Sequence, residues 1–318
     1  MLDSFDSLKN HNIIKENKSQ AIVDIKKNIK DDIRNIWNEN KIEEIELLES
    51  IGHGSESKVY KGQLKNKKFV TIKMIIRKNG RKTNINELNI SYRLKNKNII
   101  NIYGRKEIKK NEVDCIIMEY AKQGNLKNFQ GKLLKKNYLS ESTLCYLTYQ
   151  ILNGLKYCHM NKVAHFDIKP QNIVIDDYLA VKIIDFSISL DYRKLTSKKI
   201  KLPFRGTSLY MAPEVIVSKT IPVKDLNKVD LFSLGVTLYH LAFGTFPFGL
   251  THEDNKNYDK IYEKIMQGMK IEITDDDYSK NFIDFLNKLL QNDINERIDI
   301  NEALNHYWVK GKKRRNIE

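Results

Sequence analysis

The stretch His165–Asn172, His-Phe-Asp-Ile-Lys-Pro-Gln-Asn, sets a carboxylate (Asp167), an ammonium (Lys169) and an amide (Asn172) close together. An apolar run, Ile173-Val174-Ile175, follows at once, and a second, Val181-Lys182-Ile183-Ile184, leads to another carboxylate in Asp185-Phe186-Ser187. Two carboxylates and one amide, carried on loops around short strands, can hold a hydroxyl nucleophile on one side and a magnesium ion on the other. Magnesium takes a few hard oxygen ligands and leaves much of its shell to water and substrate phosphates.

The upstream chain supplies the elements that must position these groups. Ile45–Ile51 reads as a strand, and Gly52-His53-Gly54-Ser55-Glu56-Ser57-Lys58-Val59-Tyr60 as a turn entering a second strand. Glycines let a backbone approach a phosphate and present N–H groups to it; two glycines in isolation make an ordinary hairpin turn just as well. Phe69-Val70-Thr71-Ile72-Lys73 is a β-branched strand ending in a lysine, which alone would be a solvated edge residue. Cys115–Met118 is a further apolar run before Glu119-Tyr120-Ala121. Ser140–Val163 reads as a helix with Ser140 as its cap and a wide apolar face that includes Leu144, Leu147, Ile151, Leu152 and Leu155.

In this order and at this spacing, from about residue 45 to about residue 310, the motifs resemble those of the eukaryotic protein kinases. That family has a Gly-rich loop, a strand lysine, a catalytic loop of the form H-R-D-L-x-x-x-N and a D-F-G triplet. The resemblance implies an α+β, bilobal fold. The small lobe (45–119) would be a five-stranded antiparallel sheet plus one helix, and the large lobe (120–309) mainly helical. Residues 1–44 would form an N-terminal extension, and 310–318 a basic tail.

The resemblance also implies roles. Asp167 would orient a substrate hydroxyl and accept its proton, Lys169 would neutralise the transferring phosphoryl, and Asn172 and Asp185 would bind Mg²⁺ or Mn²⁺. Lys73, paired with Glu87, would fix ATP. Ile51–Val59, Thr71, Met118, Glu119, Ala121 and Val174 would complete the nucleotide site, with Met118 gating the adenine pocket. Asp-x-Lys-x-x-Asn together with Gly206-Thr207 is the serine/threonine form. Arg205–Glu214 resembles the segment that seats the peptide, Asp230 the anchor of the most buried large-lobe helix, and Arg297 the partner of Glu214.

Three positions depart from the family at the site: Ser57 and Ser187 stand where glycines are usual, and Phe166 where arginine is usual. Thr71 replaces a small alanine, and Ser91 falls where an apolar side chain is usually buried. The arginine replaced by Phe166 ordinarily pairs with a phosphorylated activation loop, so its absence predicts activity independent of that modification. Every group that would touch charge or proton is retained, which favours an active kinase over the alternative, a pseudokinase that regulates a partner.

The 318 residues suffice for two lobes, and 41% apolar content supports a real core. The formal charge is +15, but Lys, Asn and Ile are abundant throughout, as an A+T-rich coding bias would produce. Basic residues do not interleave with aromatics, so no specific nucleic-acid partner is expected. Cys115, Cys145 and Cys158 fit no metal or disulfide pattern and read as reduced core thiols. The first residues do not read as a signal peptide and no run approaches ~20 apolar residues, so a cytoplasmic location is expected. The terminal Lys310-Gly311-Lys312-Lys313-Arg314-Arg315 reads first as a solvated tail and second as a nuclear-import signal, which would add the nucleus as a location. Ile22, Ile25, Ile29, Ile33 and Ile36 make one stripe of an amphipathic helix over 20–37. It could pack on the chain's own small lobe or serve as a docking or dimerisation helix.

Overall fold

The computed structural model describes residues 45–53, 57–76, 85–108, 113–133, 139–268 and 278–310. The helix expected at 20–37, the turn residues Gly54, Ser55 and Glu56, and the tail beyond Lys310 lie outside these. The chain divides into two compact units, one comprising Met1–Thr83 with Ile102–Tyr120 and the other Asn84–Asn101 with Ala121–Glu318.

The first unit is a five-stranded antiparallel sheet of β1 (Ile45–His53), β2 (Ser57–Leu64), β3 (Phe69–Ile76), β4 (Ile102–Ile108) and β5 (Val113–Glu119), in the order β1-β2-β3-β5-β4. The pairings Val59↔Lys73↔Ile116 and Lys61↔Thr71↔Met118 fix its register. Because side chains alternate along a strand, this register sorts the residues by face. Tyr60, Val70, Ile72, Met74, Cys115 and Ile117 pack with Ile45 and Leu47 into one buried apolar cluster. Val59, Thr71, Lys73 and Met118 share the opposite face.

The second unit begins with α1 (Ile85–Arg93), followed by β6 (Gly124–Asn125), α2 (Leu126–Leu133) and the long α3 (Glu141–Met160). Helix α1 groups with this unit because Ile90 and Leu94 sit in the same buried cluster as Leu144, Ile151 and Leu155 of α3. The Ser140 hydroxyl caps α3 by accepting from the Thr143 N–H. The helix stops at Met160, short of Val163, because Val163–Ala164 is drawn off as strand β7. Then come β8 (Ile173–Ile175), β9 (Val181–Ile183), β10 (Leu190–Asp191), β11 (Lys199–Lys201), the short α4 (Pro213–Ile216) and β12 (Thr220–Pro222). Helix α5 (Lys228–Phe243) is nearly all buried and ends at Gly244, whose φ of 70° is the left-handed cap a glycine takes without strain. It is followed by α6 (Tyr258–Met266), α7 (Lys280–Leu289), α8 (Ile300–Asn305) and α9 (Tyr307–Lys310). A five-stranded antiparallel sheet and a mainly helical second unit are the expected α+β architecture. Among the described residues, no helix is long and apolar enough to cross a membrane.

Candidate active site

Asp230, in the first turn of α5 and wholly buried, fixes the loop that follows β7. Its carboxylate accepts from the backbone N–H of His165 at 2.9 Å and of Phe166 at 2.8 Å, and meets His159 Nε2 at 2.8 Å. Burial by itself would push the Asp230 carboxyl up; the His159 hydrogen bond, the two neighbouring imidazoles and the His165 N–H more than offset it and hold the carboxyl below its ordinary value. Next, the His165 ring braces the loop from within. Nδ1 accepts from the Asp167 N–H at 3.2 Å, so Nε2 carries the proton and donates to the Ile184 carbonyl at 2.9 Å. The ring stands edge-on to Phe186, centroids 4.9 Å apart.

These supports deliver four polar side chains to one place. Asp167 Oδ1 accepts from the Thr207 hydroxyl at 2.6 Å, and Oδ2 from Asn172 Nδ2 at 2.7 Å. Lys169 Nζ lies 2.7 Å from Asp167 Oδ2 and also donates to Thr207 Oγ1 at 2.6 Å. The Thr207 hydroxyl thus gives its proton toward Asp167 while accepting from Lys169, which shows that this carboxylate–ammonium pair can hold an alcohol between them. Asn172 Nδ2 donates again to the Asp167 carbonyl at 2.9 Å, which turns its Oδ1 away from the cluster.

The β8–β9 hairpin accounts for the second carboxylate. Ile173 pairs with Ile183, and the Ile184 N–H donates to the Asn172 carbonyl at 3.0 Å. Asn172 and Asp185 therefore emerge at the same end of one strand pair. An amide oxygen and a carboxylate there suit a hard divalent cation that completes its shell with phosphate oxygens. Among the described residues, no three His, Cys, Asp or Glu side chains gather as a self-sufficient metal cage.

Backbone strain lies elsewhere than the departures from the family pattern foretell. Ser187 is absent from the left-handed region, which Asp185 (φ 67°) and Phe166 (φ 68°) occupy instead. Ser57 likewise sits in extended backbone within β2, opposite Ile75. Neither serine meets a conformation that needs glycine, so each Cβ is accommodated. Gly206 does need to be glycine: its φ is 126°, and a Cβ there would stand 2.9 Å from the Phe166 carbonyl oxygen.

Phe166 is 3% exposed and joins Tyr192, Leu202, Leu209 and Tyr210 in an apolar cluster. The segment after Asp185 is thus tied to the loop after β7 by apolar packing and by Ser189 Oγ, which donates to the His165 carbonyl at 3.1 Å. Glu214 and Arg297, 4% and 1% exposed, form a bidentate pair at 2.6 and 2.9 Å. Sequence reasoning missed Arg93, in the last turn of α1. Its guanidinium donates to the Asn161 carbonyl at 2.7 Å and to Asp191 Oδ2 at 3.2 Å, linking α1 to the end of α3 and to β10. A basic residue in a last helical turn is ordinary, so nothing in the sequence pointed to that contact.

The remaining expected residues are spread over both units. Ile51 is 40% exposed on β1, and Gly52 and His53 pair with Val59 and Lys58. Thr71 and Met118 are neighbours on β3 and β5, 8% and 9% exposed, and Glu119 pairs with Val70. Val174 lies on β8 opposite Lys182, and Ala121 opens the second unit's longer segment. Glu87 falls in α1, with its side chain outside what is described. Ser91 is buried at 2%, as its helical position requires.

Residues 45–309 match the protein kinase domain family. The probable serine/threonine-protein kinase fhkA of Dictyostelium discoideum is 30% identical over 321 residues, covering 89% of this chain and 51% of that protein. The serine/threonine-protein kinase dst2 of the same organism is 32% identical over 285 residues, covering 89% and 24%. The MAP kinase kinase MKK1/SSP32 of Saccharomyces cerevisiae is 31% identical over 291 residues, covering 87% and 55%. The chain thus spans between about a quarter and about half the length of these curated relatives.

Proposed function

Because the chain belongs to the protein kinase family, we propose that it transfers the γ-phosphoryl group of ATP to serine and threonine hydroxyls of protein substrates. The observation that carries this reading is the Asp167–Lys169–Thr207–Asn172 cluster, in which a carboxylate and an ammonium already share one alcohol. Asp167 would orient the incoming hydroxyl and take up its proton. Lys169 would stabilise the charge that develops on the phosphoryl oxygens. Both groups are fixed before reaction, so positioning and electrostatics, the main levers in phosphoryl transfer, cost little reorganisation. Asn172 Oδ1 and the Asp185 carboxylate would hold Mg²⁺ or Mn²⁺, which when bound supplies charge neutralisation on the phosphates. Lys73 would contact the phosphates, with Glu87 as its partner, and the β1–β2 turn, Thr71, Met118, Glu119, Ala121 and Val174 would enclose the nucleotide. The cytoplasm, with the nucleus as the second location, is where we place this activity, and 20–37 is proposed as an intramolecular or docking helix.

The serine/threonine assignment rests on Lys169 and Thr207 engaging the same carboxylate. The test is incorporation of labelled phosphate from ATP into a generic protein with Mg²⁺ or Mn²⁺. Wild type should turn over, and Asp167→Asn and Lys73→Met should fall by orders of magnitude while melting as folded proteins. Asp167→Asn running as fast as wild type would remove the assigned base.

A further inference from the structure

We propose that the β11–β12 ribbon is a docking surface for acidic segments of the protein substrate, so that the enzyme selects hydroxyls flanked by Asp and Glu. The inference rests on the kinase reading above and names its substrate class.

From Tyr192 to Pro213 the chain has no carboxylate and six basic residues: Arg193, Lys194, Lys198, Lys199, Lys201 and Arg205. The arginines are engaged, Arg193 with Asp191 at 2.7 Å and Arg205 with the Ile188 carbonyl at 2.9 Å. The lysines are exposed, and among the described residues no carboxylate pairs with any of them. Of the carboxylates nearby, three are engaged elsewhere and Asp225, which follows β12, is buried. Asp191 is held by Arg93 and Arg193, Glu214 by Arg297, and Asp254 by Lys260 and Lys264. The ribbon and the stretch before it thus present four exposed lysines, none held by a carboxylate among the described residues.

The ribbon also has a register. Lys199 pairs with Pro222 and Lys201 with Thr220, while Ile200 and the fully buried Ile221 pair between them and face inward. Lys199 and Lys201 thus project from one face, two strand residues or about 6–7 Å apart. That spacing matches alternate carboxylates of an extended peptide, Asp-x-Asp. Only Leu202–Gly206 separate Lys201 from Thr207, whose hydroxyl touches Asp167. Six residue steps span at most about 20 Å, so carboxylates within roughly six positions of the accepted hydroxyl can reach the lysines. Aromatic residues do not interleave with the lysines, and exposed Phe204 is engaged edge-on with Tyr258 at 4.7 Å. The surface lacks the stacking platforms that a nucleic-acid strand would use.

The experiment uses the full chain and paired serine peptides, identical except for an Asp-x-Asp or Asn-x-Asn segment placed on either side of the serine. Turnover and fluorescence-anisotropy binding are both measured. The acidic peptide should show kcat/KM and affinity higher by roughly tenfold, mostly in KM, from a few exposed charge pairs. The advantage should vanish near 1 M salt, where the screening length is about 3 Å. In Lys199→Glu/Lys201→Glu the acidic-to-neutral ratio should fall to about one or below. Phosphorylation of the neutral peptide reports on the kinase reading, and the binding arm reports on this one even without turnover. Equal affinity for the two peptides, a ratio unchanged in the double variant, or tighter binding of an oligonucleotide or anionic vesicle of matched charge would each overturn the proposal.

Discussion

The Arg205 guanidinium lies over the Phe166 ring, 5.8 Å from its centroid, within cation–π range. Most members of the family carry an arginine in the place of Phe166, and here an arginine from the facing segment covers the apolar replacement. Burial already lowers the Arg205 pKa, so a second guanidinium at this 3%-exposed position would meet repulsion and desolvation together. Phe166→Arg should therefore destabilise the fold, by at least about 2 kcal/mol, read as a lower urea midpoint at unchanged slope. Since the segment is tied down by apolar packing, phosphatase treatment of wild type should leave most of its activity. Loss of more than about nine-tenths of turnover on dephosphorylation would contradict that account.

Arg93 and Asp191 connect helix α1 to the strand that follows Asp185. Burial would raise the Asp191 carboxyl, but the hydrogen bonds and charge of Arg193 with the charge of Arg93 hold it low. A double-mutant cycle of Arg93→Met and Asp191→Asn should give a coupling of about 0.5–1.5 kcal/mol in unfolding free energy, as for a partly exposed pair in contact. If the link also positions α1 for catalysis, each single variant should lower kcat more than it raises KM. Strict additivity in both stability and kcat would show that the contact is idle.

Glu214 and Arg297 are bidentate and almost wholly buried. Removing either partner strands the other charge in a dry site, so Glu214→Gln and Arg297→Met should each cost about 3–5 kcal/mol. Arg297→Lys should not rescue, because an ammonium cannot reproduce the two parallel N–H bonds nor those to the Gln291 and Lys228 carbonyls. Chemical denaturation of the three variants checks this; a loss below about 1 kcal/mol in either truncation would refute it.

Much of this was legible in the sequence because local signals and distant requirements agree there. The β-branched run to Lys73 is a strand, Ser140 is the cap it reads as, and Asp167, Lys169 and Asn172 meet because one tight loop carries all three. The consequence of a missing glycine was not legible. A letter at position 57 or 187 does not say which φ the backbone takes, and the strain sits instead at Phe166 and Asp185. Contacts such as Arg93–Asp191 and Arg205–Phe166 also escaped notice, because common surface residue types acquire a partner only when the chain has folded.

Acid should undo part of this fold in a defined window. Asp254 is held below the ordinary carboxylate range by hydrogen bonds from Lys260 and Lys264 and by the Thr251 N–H, which outweigh burial. Asp230 is also depressed. A carboxyl whose folded pKa lies below its unfolded value of about 3.9 binds fewer protons folded than unfolded. Its stabilisation is therefore complete above that value and drains away as pH falls through the folded pKa. Urea midpoints should be level from about pH 7 to about pH 5 and decline steeply below about pH 4. Asp254→Asn should be less stable than wild type at pH 7, with the gap beginning to narrow below about pH 4, since wild type starts to lose there what the variant never had. A gap that stays constant across that range would show that Asp254 contributes by shape and not by charge.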